Sequence, residues 1–273
     1  MGQLKSEGRA GRRVRDSAIA AQEVHVTTRK KAVHIILQAK GGVGKSYIAS
    51  LLTQYLLKRE GGGKVVAVDT DPANATLFGY QGLPVERVDI LMPGSDSLIN
   101  PRAFDGHLNK IAEEDADFVV DNGANCYFPL LEYMRETDAV GALVETGKDV
   151  FLHSVITGGQ ALLDTLRGFD SLATFAPREA RLVVWLNEYY GPIEAEGKQF
   201  KQMQVYERHR ERLHALVHLA KLNPYTSGKD IELMVAKKLT FDEVMKTGEF
   251  GLMEKQRIRS AQKVIFSQLA LLA

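Results

Sequence analysis

"LQAKGGVGKSYIAS", residues 37–50, sets three glycines ahead of a Lys-Ser pair and directly behind an apolar run. Gly41, Gly42 and Gly44 let the backbone close around phosphate oxygens without a Cβ in the way. Consecutive N–H groups and a helix N-terminus supply donors and positive potential there. Lys45 is placed to reach β- and γ-phosphates, and the Ser46 hydroxyl to ligate Mg²⁺. Val43 within the loop and Tyr47 just after it count with the nucleotide-binding residues. One lysine suffices for such a loop, yet Lys40 supplies a second. The strict pattern also wants glycine five residues before Gly44, where Ala39 stands.

Outward from the loop the pattern is strand–helix–strand. "AVHIILQ" (32–38) leads into it, and a helix follows with Ile48, Leu51, Leu52, Tyr55 and Leu56 on one face. Gly61-Gly62-Gly63 stops that helix, and "KVVAVD" (64–69) reads as the next strand. Further strands are expected at 117–121, 139–145, 182–187 and 213–219, between helix-like stretches such as 101–113, 157–168 and 196–210. Short apolar strands alternating with helices predict an α/β fold, a single-domain, mostly parallel sheet covered by helices on both faces. No repeat or linker calls for a second domain within 32–273. Residues 1–31 differ. Lys5, Arg9, Arg12, Arg13, Arg15, Arg29, Lys30 and Lys31 face only Glu7, Asp16 and Glu23, as expected of a flexible basic arm, either solvated or touching phosphates.

With 273 residues, 45% of them hydrophobic, the chain is long enough for one large core. A net charge of +1 gives no global field toward nucleic acid or acidic membranes. One cysteine, Cys126, excludes an internal disulfide and a Cys-based zinc site, which fits a reducing cytosol. No apolar run approaches the ~18 residues of a spanning helix and no signal peptide is evident, so a cytoplasmic protein is expected.

Three strand ends carry further chemistry. In "AVDTDPANAT" the acids Asp69 and Asp71 stand at the carboxyl end of a strand, the edge that faces ligands in parallel sheets. Two carboxylates beside a triphosphate suit metal hydration and water orientation, whereas Asp-Pro also opens ordinary turns. In "DFVVDNGAN", Asp121 ends an apolar strand, where a Walker-B acid holds the Mg²⁺ shell. In "LVVWLNEYY", Asn187 either reads a base edge through its amide or caps a loop.

Together these residues resemble the deviant Walker-A ATPases, the ParA/MinD group, whose KGGVGK[ST] motif matches Lys40 to Ser46. The likeness runs from about residue 32 to at least 190. It implies ATP and Mg²⁺ as cofactors, slow hydrolysis stimulated by a partner, and a homodimer in the ATP-bound state. In that group the lysine matched by Lys40 reaches across the dimer to the partner's nucleotide. The acid matched by Asp71 organises the attacking water, the one matched by Asp121 lies near Mg²⁺, and the asparagine matched by Asn187 is often near adenine. Within the group, "DTDPANATL", "VITGGQALLDTL" and "LVVWLNEYYG" look most like TraL/StbC-type proteins of conjugative plasmids, which implies a protein partner in plasmid transfer or maintenance.

Two departures stand out. Tyr47 replaces the usual second threonine of the loop, and "NGANCYFP" replaces a Pro-rich segment after the Walker-B acid. Rival readings are an ATP-dependent metabolic enzyme of the dethiobiotin-synthetase kind and a nucleotide-gated scaffold with negligible hydrolysis. A redox ATPase resembling the nitrogenase iron protein needs two cysteines, and only Cys126 exists.

Two other segments bear on partners. Lys198, Lys201, Arg208, Arg210 and Arg212 form either a solvated helix face or a non-specific DNA contact. Near the C-terminus, Ile258, Ala261, Ile265, Leu269 and Leu272 form one stripe, for the core, a partner helix, or least of all a membrane surface.

Overall fold

A computed structural model describes residues 1–2 and 29–272; of the basic arm, Lys5, Arg9, Arg12, Arg13 and Arg15 lie outside the described residues. Among the described residues nine strands follow in chain order: β1 (Ala32–Ile36), β2 (Val65–Asp69), β3 (Val85–Arg87), β4 (Asp117–Asp121), β5 (Asp149–Thr157), β6 (Arg181–Asn187), β7 (Glu194–Ala195), β8 (Lys198–Gln199) and β9 (Leu213–Leu219). Seven form one sheet in the order β3-β2-β4-β1-β5-β6-β9, and every pairing within it is parallel. Strands β7 and β8 form a separate small antiparallel hairpin. Strand order reverses about β1, so the crevice at its carboxyl end is the place where such sheets bind ligands.

The helices are α1 (Lys45–Lys58), α2 (Ala103–Glu113), α3 (Tyr127–Thr137), α4 (Ala139–Glu145), α5 (Leu162–Phe175), α6 (Gln204–His209), α7 (Ser227–Ala236), α8 (Phe241–Lys246) and α9 (Leu252–Leu269). Side chains alternate across each strand, so the sheet feeds two cores. Val33, Ile35, Phe118 and Val120 pack toward α2 through α6. Ala32, Ile36, Ala67 and Val119 pack toward α1, α7, α8 and α9. Asp69 and Asp121 share the second alternation, which brings both acids to the α1 side, and they stand opposite each other in register. Ile258, Ile265, Leu269 and Leu272 are buried in the second core, so the C-terminal stripe is core packing.

Three expected elements differ. Residues 139–145 are α4 rather than a strand. Ala139, Val140 and Leu143 bury at helical spacing, following a left-handed turn at Asp138 (φ 49°). The strand beside β1 is instead β5, whose apolar run is interrupted by His153 and Ser154, both fully buried. The stretch 196–210 is not one helix. Hairpin and 3₁₀ segments precede the six-residue α6. Arg208 ion-pairs with Asp170 of α5, and Arg212 donates to the Ala173 and Pro177 carbonyls. These two arginines therefore dock their segment onto α5, while Lys198 and Lys201 are exposed.

Candidate functional site

The chain leaves β1 through buried Leu37 and Gln38. Gln38 Nε2 donates to the Val155 and Thr165 carbonyls at 2.8 and 3.1 Å, fastening the loop to β5 and α5. Gly168 admits this contact, since a Cβ there would lie 2.0 Å from Gln38 Oε1. Gly42 and Gly44 adopt left-handed φ of 74° and 99°. At Gly44 a Cβ would also stand 2.9 Å from Asn187 Nδ2. Asn187, at the end of β6, donates through Nδ2 to the Val43 carbonyl at 3.0 Å and accepts at Oδ1 from the Tyr189 amide at 3.2 Å. The Tyr190 hydroxyl donates to the Gly42 carbonyl at 3.0 Å. Both loop carbonyls are thus braced from the β6 side, which leaves the neighbouring N–H groups for an anion.

The two lysines part company. Lys45 is 8% exposed, and its Nζ donates to the Lys40 carbonyl at 3.1 Å. Burial holds its pKa below the usual lysine value, with Asp121 and Asp71 opposing that shift. The Lys40 side chain turns outward. Its Nζ meets Asp164 Oδ2, in the first turn of α5, at 2.9 Å, and both side chains are about half exposed.

The acids also differ in environment. Asp121 is 1% exposed; neither carboxylate oxygen has a hydrogen bond of ordinary geometry among the described residues, though the Ser46 hydroxyl stands close enough to favour the charged form. Burial pushes its pKa up to about 7; Ser46 and Lys45 oppose the rise, and Asp69 and Asp71 add to it. A buried carboxylate beside a P-loop serine suits a Mg²⁺ shell. No group of three or more His, Cys, Asp or Glu side chains among the described residues is arranged to hold a metal. Mg²⁺ tolerates that, because it keeps several waters and takes phosphate oxygens.

Asp69 is fully buried, and both its oxygens are engaged: Oδ1 accepts from the Asp71 amide and Oδ2 from the Phe78 amide, at 3.0 and 2.9 Å. It shapes the loop after β2, and each oxygen keeps a lone pair beyond these amide contacts. Asp71 Oδ1 accepts from the Ala73 and Asn74 amides at 2.9 and 3.1 Å, the turn the Asp-Pro pair announced. Its Oδ2 makes no hydrogen bond among the described residues. A Cβ on Gly123 would meet Asp71 Oδ1 at 2.9 Å, so that glycine permits the approach of the β4 loop.

The structure thus gathers Gly41, Gly42, Val43, Gly44, Lys45, Ser46, Asp69, Asp71, Asp121 and Asn187 at one sheet edge. Val43 is buried in the second core and contributes backbone. Tyr47 packs against that core too, where burial raises its phenol pKa with Tyr80 adding. The amide of Asn187 braces the loop, as the loop-capping alternative expects, with one Nδ2 hydrogen and one Oδ1 lone pair left over. Sequence reasoning passed over Gln38, Tyr190 and Asp164, and also Thr70 and Asn122. The Thr70 hydroxyl donates to Asn122 Oδ1 at 2.9 Å and Asn122 Nδ2 to the Ile36 carbonyl at 3.2 Å, stitching three strand ends together. Asn122, beside a strand-ending acid, carried a readable signal; Asp164 carried none.

A parallel sheet with a glycine-rich loop at its switch point and a buried acid on the adjacent strand defines a P-loop nucleotide-binding protein. The family described as "CobQ/CobB/MinD/ParA nucleotide binding domain" matches residues 34–240, and the chain belongs to it. Two proteins called "Protein TraL", both from Escherichia coli, are 43% and 42% identical over 237 residues, covering 87% of this chain and 96% of each relative. Among solved structures, a ParA family ATPase from Chlorobium tepidum TLS aligns with a TM-score of 0.49 at 17% identity. That alignment covers 85% of this chain and 98% of the other. No described helix is long and apolar enough to cross a membrane.

Proposed function

We propose that this protein is a nucleotide switch that binds ATP with Mg²⁺, hydrolyses it slowly, and dimerises in the ATP-bound state during plasmid transfer or maintenance in the cytoplasm. The observation that carries this reading is the division of the two lysines. Lys45 is buried against its own loop, near Asp121 and Asp71, so one subunit already has its phosphate cation. Lys40 is free of that task and stands on the surface, tethered among the described residues by an exposed pair with Asp164.

In this reading the loop N–H groups and Lys45 bind and orient the triphosphate. Ser46 and Asp121 would hold Mg²⁺, which when bound neutralises phosphate charge. Asp71 Oδ2 accepts a hydrogen bond from the attacking water and so orients it, while Oδ1 keeps the carboxylate fixed to its turn. Lys40 leaves Asp164 and meets the terminal phosphate in a second copy, so that loss of this charge on hydrolysis releases the dimer. Kinship to TraL proteins supports the plasmid setting. Direct DNA contact is the weaker part, because Arg208 and Arg212 are engaged with α5 and its vicinity. ATP turnover and light scattering, with ADP or ATP and with or without duplex DNA, test the whole. ATP-specific dimers with slow turnover are expected; a monomer in both nucleotides overturns the switch.

A further inference from the structure

Helix α7 ends in a Schellman turn. The Leu239 amide donates to the Met234 carbonyl at 3.0 Å, and the Lys238 amide to the Val235 carbonyl at 3.1 Å. The residue just past the cap of such a turn is left-handed, a conformation glycine adopts without strain. Lys238 stands there instead, with φ 55°. That backbone costs free energy which glycine would not incur, so the question is what the lysine side chain does.

A cation complements the carboxyl end of a helix, yet the Lys238 ammonium is directed off α7. Its Nζ donates to the Thr76 carbonyl at 3.1 Å. The stem lies on Gly79, where a Cβ would stand 3.5 Å from Lys238 Cδ and Cε. Nζ is 5.6 Å from the centre of the buried Tyr80 ring. Among the described residues the ammonium makes no other hydrogen bond and no ion pair. Burial lowers its pKa, and the charges of Asp69 and Asp121 oppose that shift, so the cation stands toward the nucleotide edge.

Thr76 belongs to the loop between β2 and β3, which also carries Asp71. From inside, Asp69 accepts from the Asp71 and Phe78 amides, and Asp71 Oδ1 from those of Ala73 and Asn74. From outside, Lys238 takes the second lone pair of the Thr76 carbonyl, whose first receives the Gly79 amide at 3.3 Å. The lysine's own base is firm. Thr240 and Glu243 close a capping box at the start of α8, and the Phe241 amide donates to Gln54 Oε1 of α1 at 2.7 Å. Lys238 thus ties the loop of Asp71 to a corner anchored on the helix that begins at Lys45.

We infer that Lys238 is a positioning residue for ATP hydrolysis: by holding the Thr76 carbonyl it fixes the loop that aims Asp71 Oδ2 at the attacking water. This rests on the nucleotide-switch reading, in which Asp71 orients that water. In the step it serves, the water oxygen bonds to the γ-phosphorus and the bond to the bridging oxygen of ADP breaks. One water hydrogen stays on the phosphate and the other leaves to solvent as a proton.

Lys238→Gly separates positioning from folding. It suits the turn, so its melting temperature should stay within a few degrees of the wild type. It leaves Lys45 and Ser46 untouched, so ATP affinity by calorimetry should be unchanged. Single-turnover hydrolysis should fall about tenfold or more, as for a small displacement of a water-orienting group. Lys238→Arg keeps cation and donor and should recover most of the rate. On the Asp71→Ala background, Lys238→Gly should slow hydrolysis no further, because it acts through Asp71. In nucleotide-free protein the Ala73, Asn74 and Phe78 amides should exchange hydrogen on the order of tenfold faster in Lys238→Gly. Wild-type hydrolysis in Lys238→Gly, unaltered exchange of those amides, or an added loss on the Asp71→Ala background overturns the inference. A melting temperature that falls together with ATP affinity does so too, since it makes the role structural. Absence of ATP turnover in the wild type breaks the switch reading instead, and the exchange rates still decide whether Lys238 holds the loop.

Discussion

At the carboxyl end of β4, Asp121 is buried with two acceptors that lack a well-formed hydrogen bond; toward the other edge, His34 of β1 and the half-buried Arg59 at the end of α1 each have one buried nitrogen without a partner among the described residues. Both edges belong to the same parallel sheet. Buried polar groups without partners are uncommon, because each loses water without replacement. The upper edge leaves acceptors open beside Lys45 and Ser46, as a site for a cation and its phosphate ligand requires. The lower edge leaves donors open among arginines that are already paired with Asp117 and Asp149. The contrast teaches that an unsatisfied buried group marks a site where other ligand-binding groups converge on it, as Lys45 and Ser46 do on Asp121.

The largest effects are expected at the phosphate loop and the acid beside it. Lys45→Ala removes the buried cation that faces the phosphates and should weaken ATP binding on the order of a hundredfold or more, by calorimetry. Wild-type affinity would remove the P-loop lysine from the account. Asp71→Ala should keep ATP affinity and lower single-turnover hydrolysis by roughly a hundredfold or more, the range of a lost acid–base or water-orienting group. Undiminished hydrolysis would leave Asp71 only its turn.

A smaller effect sharpens the upper edge alone. Asp121 has a folded-state pKa of about 7 against a usual 3.8, so the folded chain holds a proton that the unfolded chain releases. The corresponding stability is complete below about pH 4 and is lost as pH rises through about 7. In nucleotide-free, metal-free protein, Asp121→Asn should flatten the fall in melting temperature between pH 5 and 8. An equal slope in both proteins would mean the carboxylate is ionised throughout. The smallest change is expected from Asp164→Ala, which frees Lys40. An exposed pair is worth about 1 kcal/mol at most, so the ATP-dependent dimer should tighten by no more than about fivefold in dilution by light scattering. A weaker dimer would show that Asp164 itself supports the contact.

How much of this was legible depended on whether a residue's role is local. Gly41, Gly42, Gly44, Lys45 and Ser46 could be read because phosphate binding demands those residue types at fixed spacing. Asp121 could be read because an apolar strand ends on it, and the parallel fold because most strands are short apolar runs. The strand β5 was hidden because His153 and Ser154 interrupt its pattern, and only the Trp185–His153–His34 chain makes His153 tolerable in the core. Residues 139–145 were apolar enough for a strand, and tertiary contacts decided for a helix. The amides of Asp71 and Phe78 on the oxygens of Asp69 were not legible, because the turn that carries them is fixed by tertiary structure. The tether between Lys40 and Asp164 spans 124 positions, which no local pattern announces.

Lys40 carries the central claim, that ATP becomes part of a contact between two copies. Light scattering with ATP on Asp71→Ala, where nucleotide should persist, against the Lys40→Ala, Asp71→Ala double variant is the most direct comparison. An ATP-dependent dimer is expected for the single variant and a monomer that still binds ATP for the double. An undiminished ATP-dependent dimer in the double variant would contradict the claim.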